Sequence, residues 1–82
     1  MFSDLYNKET NQLIEAKGSV SRDAIRMAIG QLFDYRRFAP GKTDLTILLP
    51  EYPRPDLVEL IESAGISIIH EKNGDFVVSP RE

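Results

Sequence analysis

The chain has 82 residues, a formal charge of −3, one histidine and no cysteine. That length holds one small domain, residues 1–82. The absent thiols and the single imidazole exclude disulfides, thiolate metal centres and a multi-histidine zinc site within one chain, so any metal would be held by oxygen, which favours magnesium, manganese or calcium.

Hydrophobic residues make up 41% and charged residues 28%, a balance that fits a folded domain and argues against disorder. No apolar run approaches the roughly 20 residues of a membrane helix. The first residues carry Asp4, Lys8 and Glu9 with no apolar stretch, which excludes a signal peptide there and reads as a cytoplasmic protein. Charge is unevenly spread. From Lys17 to Arg37, five basic residues (Lys17, Arg22, Arg26, Arg36, Arg37) meet two acids (Asp23, Asp34), so this segment is +3 and the rest −6. Such an imbalance makes a cationic patch on an acidic protein.

In chain order, residues 2–6 read as a short strand with Phe2, Asp4 and Tyr6 on one face. The polar stretch Asn7–Asn11 reads as a turn, which pairs 2–6 with a second strand at 12–17 in a β-hairpin. In that second strand Leu13, Glu15 and Lys17 share one face, and Ile14 and Ala16 share the other. Gly18 ends it, and Ser19 or Ser21 caps the helix that follows, with Asp23 suited to its positive end.

That helix is predicted over 21–37, from Ile25, Ile29 and Leu32 at helical spacing with Ala28 and Phe33 beside them, and Pro40-Gly41 stops it. Leu45–Leu49 is continuously apolar and reads as a buried central strand. After a proline-punctuated loop, a second helix spans 55–64, with Leu57, Leu60 and Ile61 on one side and Gly65 as its cap. Residues 66–70 read as a strand, Asn73-Gly74 as a tight hairpin turn, and 76–78 as the last strand. The order is ββαβαββ. This is an α/β fold with a small mixed sheet, two helices and two right-handed crossovers between parallel strands. Phe33, Phe38 and Phe76 are most simply core, and His70, at a strand end, is structural or exposed.

Two constellations carry chemistry. Asp4, Glu15 and Lys17 are expected to converge: two carboxylates plus the Ala16 carbonyl offer hard oxygen ligands, and Lys17 orients water or stabilises transition-state charge. The alternative is a solvated ion pair at a strand end. Gln31 and Tyr35, four apart, stack on one helix face near Arg22, Ala24 and Ala28, and present an amide and a hydroxyl to a phosphate or base. The alternative there is a partly buried tyrosine beside an ordinary helix former.

Asp4, then Glu15-Ala16-Lys17, then Gln31-Leu-Phe-Asp-Tyr35 on the next helix resembles the PD-(D/E)xK, or restriction-endonuclease-like, nuclease superfamily. The Gln-x3-Tyr element resembles its RecB-like branch. The resemblance covers residues 1 to about 50 and implies a restriction-endonuclease-like fold and a DNA-cleaving hydrolase. It implies Mg2+ (or Mn2+) held by Asp4, Glu15 and the Ala16 carbonyl, Lys17 as the catalytic lysine, and Gln31 and Tyr35 supporting the site or contacting nucleic acid. Arg22 and Arg26 are suited to phosphate by charge and placement. Two features depart from the family: Ser3 stands where proline is common, and only three residues precede Asp4, where a helix and strand usually lie. The chain therefore reads as a C-terminal piece of a longer nuclease, a minimal domain or one half of an assembly, with self-association expected to cover the sheet. The competing readings are a non-catalytic module of this fold that binds nucleic acid or dimerises, and a plain structural domain.

Overall fold

Three strands share one direction because each is joined to the next by a helix. A computed structural model describes residues 4–39 and 41–79, with the backbone alone at 4 and 5. Its elements are β1 (Asp4–Asn7), β2 (Gln12–Ala16), α1 (Arg22–Arg36), β3 (Asp44–Leu49), α2 (Pro55–Ser63), β4 (Ile66–Lys72) and β5 (Asp75–Ser79). They form one sheet in the order β1-β2-β3-β4-β5. The β2–β3 and β3–β4 pairs are parallel, and the two outer pairs are antiparallel. The ββαβαββ order and the mixed sheet are those read from the sequence. Phe2, Ser3 and Pro40 lie outside the described residues.

The first hairpin closes through asparagines. Asn7 Oδ1 accepts from the Glu9 and Thr10 backbone N–H groups, and Asn11 takes a positive φ of 53°, which asparagine tolerates. Asn11 also ties the hairpin to β3: its Oδ1 accepts from the Tyr6 and Thr43 hydroxyls, its carbonyl accepts from the Asp44 N–H, and its amide donates to the Lys42 carbonyl. Lys17, expected in the strand, leaves the ladder one residue past β2. Its N–H still donates to the Leu48 carbonyl at 3.0 Å.

Helix α1 starts at Ser21, whose hydroxyl accepts from the Ala24 N–H at 3.2 Å. It buries Ile25, Ala28 and Leu32. Helix α2 starts with Pro55 in the first turn, where the missing N–H costs nothing, and buries Leu57 and Ile61. Gly65, at φ 75°, turns the chain into β4. The two helices pack together on the sheet face formed by Leu13, Leu45, Ile47, Leu49, Ile66 and Ile68. Asn73 and Gly74 both adopt positive φ, as a two-residue hairpin turn requires, and register β5 on β4.

The opposite sheet face carries no helix among the described residues. Ala16, Leu48, Ile69 and Val78 are successive register partners and make one apolar row across it. The three phenylalanines expected in the core are all exposed. Phe33 falls beside the buried stripe of α1, Phe38 lies beyond the helix end, and Phe76 lies on the outermost strand. Phe33 and Phe38 instead lie under guanidinium groups, of Arg36 and Arg37 respectively. His70, at the end of β4's apolar run, is buried under the loop after β3, with the Tyr52 ring edge-on at 5.0 Å.

Candidate active site

The hairpin register places position 4 directly opposite Glu15. This follows from the turn length that the asparagines set. Glu15 shares the helix-covered face with Leu13, and its side chain is 2% exposed, an uncommon position for a carboxylate. Lys17 Nζ lies 3.6 Å from Glu15 Oε2 and is itself 17% exposed. Burying a carboxylate is costly unless charge or hydrogen bonds offset it, and the ammonium supplies that charge.

The peptide joining Ala16 to Lys17 has a defined sense. Its N–H points at Leu48 in β3. The N–H and C=O of a trans peptide point to opposite sides, so the Ala16 carbonyl is directed toward the β1 side of the strand. Glu15, this carbonyl and position 4 thus all lie at the carboxyl-terminal end of β2. Among the described side chains, no three His, Asp or Glu residues converge on one point.

Gln31 and Tyr35 fall on one stripe of α1 with Ala24 and Ala28. Ala28 is fully buried on that stripe, so the stripe is turned to the sheet. Tyr35 packs against the core, and Gln31 is half-buried, with its Oε1 enclosed and accepting no hydrogen bond among the described residues. Arg26 is exposed one turn into α1.

Arg22 has a role that sequence reasoning missed. Its guanidinium pairs with Asp56 Oδ2 at 2.5 Å, and Arg54 Nε lies 3.5 Å from Asp56 Oδ1. Asp56 thus joins the start of α1 to the start of α2. Partial desolvation raises its carboxyl pKa, but the Arg22 hydrogen bond and the charges of Arg54 and Arg22 outweigh that and hold it below the ordinary value. The acid in the first turn of α2 was visible in the sequence, but its partner 34 residues earlier was not. His70, read as structural or exposed, is buried at 8% exposure, and its Nδ1 makes no hydrogen bond among the described residues.

No protein-family model, no curated protein and no solved structure matches this chain. Among the described residues, no helix is long and apolar enough to cross a membrane.

Proposed function

We propose that this domain is a divalent-metal-dependent nuclease that hydrolyses DNA phosphodiester bonds in the cytoplasm. The observation that carries the reading is the register of position 4 opposite Glu15, with the Lys17 ammonium 3.6 Å from the Glu15 carboxylate. The order of Asp4, Glu15-Ala16-Lys17 and the Gln31/Tyr35 helix, and its resemblance to restriction-endonuclease-like enzymes, supports it.

The donor set fits Mg2+ or Mn2+. Glu15, the Ala16 carbonyl and Asp4 are hard oxygen donors, and these ions keep several waters and need few protein ligands. The chemistry such an ion supplies is Lewis acidity toward a phosphoryl oxygen and a lowered pKa for water. The chain's own groups do the rest. Lys17 offers positive charge where the phosphorane develops negative charge. Arg26, exposed on α1, holds backbone phosphate and sets position along the strand, Arg22 adds positive charge beside it while shared with Asp56, and Gln31 and Tyr35 support the site from the sheet-facing stripe of α1.

A second reading keeps the fold without the chemistry, as a nucleic-acid-binding or dimerisation module. The near-complete enclosure of Glu15 favours it, because a buried ion pair also serves to fix the hairpin. Metal affinity separates the two. Groups that merely orient a metal's ligands are worth about 10–100-fold in affinity, so Glu15→Gln is expected to weaken Mn2+ binding by more than about tenfold in calorimetry. Equal Mn2+ binding by wild type and a folded Glu15→Gln variant overturns the nuclease reading.

A further inference from the structure

We propose that β5 pairs with β5 of a second copy of this chain, antiparallel about a two-fold axis at Val77, joining two five-stranded sheets into one. This inference is independent of the nuclease reading.

Strand β5 is the outer edge of the sheet, and no strand lies beyond it among the described residues. Edge strands expose a row of backbone donors and acceptors, and native proteins blunt them with charge, proline, short length or a covering element. The opposite edge, β1, is four residues long, begins with Asp4 and ends with Asn7. Strand β5 has a charge only at its first residue, Asp75 beside the turn, and none over the four residues that follow. It carries Phe76, Val77 and Val78 in succession, with relative exposures of 66%, 38% and 63%. The helices pack on β2, β3 and β4, so neither reaches it.

The pattern selects a second copy and one register. Val77 faces the helix side, with His70 as its register partner, and Phe76 and Val78 face the open side. Opposed residues in an antiparallel pair must share a face, so the axis passes through a residue and not between two. Centred on Phe76, the pairing sets Asp75 against Val77, a charge against an apolar side chain. Centred on Val78, it sets Phe76 against Pro80, which has no N–H to give. Centred on Val77, it sets Val77 against Val77, Phe76 against Val78 and Asp75 against Ser79. No like charges meet, each carboxylate faces a hydroxyl, and two aromatic–β-branched pairs form on the open face. The strand is complementary to itself. The apolar row Ala16–Leu48–Ile69–Val78 then continues onto Phe76 of the second copy.

The chain has no cysteine, so one introduced thiol reports the register directly. On the axis, the two copies of position 77 bring their Cβ atoms to about 4.5–5.5 Å, close to disulfide reach. Mild oxidation of Val77→Cys is expected to give a covalent dimer, while Glu59→Cys on the exposed side of α2 gives no covalent dimer. Sedimentation of the unaltered chain is expected to show twice the 9.3 kDa chain mass as concentration rises. Phe76→Lys/Val78→Lys is expected to restore the monomer with an unchanged far-ultraviolet circular dichroism spectrum. Three results overturn the proposal: a monomer at every concentration, a dimer that survives the double lysine variant, or a dimer in which Val77→Cys does not cross-link, as in face-to-face packing of the open faces.

Discussion

The Lys17 ammonium stands 3.6 Å from the Glu15 carboxylate at the carboxyl end of β2, where Glu15 is enclosed and Lys17 still reaches solvent. The pair combines an acid on the helix-covered sheet face with a cation at the solvent boundary. Position 4 faces it from β1. This relationship makes one statement about stability and another about chemistry, and they are separable.

On stability, removing the ammonium takes positive charge away from a buried carboxylate. Losing one member of a buried pair costs about 3–5 kcal/mol, and the partial exposure of Lys17 reduces this to about 1–3 kcal/mol for Lys17→Met. Urea denaturation at neutral pH reads the loss. Adding Glu15→Gln removes the buried charge as well, so the double variant is expected to regain part of the loss. An unchanged midpoint for Lys17→Met contradicts the coupling.

The start of α1 depends on one hydroxyl. Ser21 Oγ accepts from the Ala24 N–H, satisfying one of the orphan donors of the first turn. Ser21→Ala is expected to cost about 1 kcal/mol in thermal or urea unfolding, and Ser21→Asp is expected to restore it.

The junction between the two helix starts responds to acid. The Asp56 carboxyl titrates below its ordinary value of 3.8 in the folded chain, so its stabilisation is fully present above 3.8 and is lost as pH falls through the lower folded-state value. Asp56→Asn is therefore expected to be less stable than wild type at neutral pH, with the difference vanishing well below pH 3.8. Added salt is expected to shrink the neutral-pH difference, because the ion pair is exposed. A difference that persists unchanged in acid contradicts this account.

The elements were legible because their signals are local. Ile25, Ala28 and Leu32 announce the buried stripe of α1, the apolar run 45–49 announces the central strand, and Asn73-Gly74 announces the last hairpin. The opposition of positions 4 and 15 was also within reach, since it follows from one hairpin turn. Other features depend on tertiary placement. Phe33, Phe38 and Phe76 look like core by composition, yet a two-layer domain covers only one sheet face and one stripe per helix. The Arg22–Asp56 pair joins two helix starts across 34 residues, and no local pattern signals it. Burial of His70 depends on how the loop carrying Tyr52 folds over β4.

The central claim is tested most directly by cleavage of single- and double-stranded DNA with Mg2+ or Mn2+, comparing wild type with Lys17→Ala once both are shown to be folded. The account predicts that wild type cuts and that Lys17→Ala loses at least about 100-fold in rate, the scale of one lost charge-stabilising group. Equal cutting by both proteins, or no cutting by the folded wild type, contradicts it.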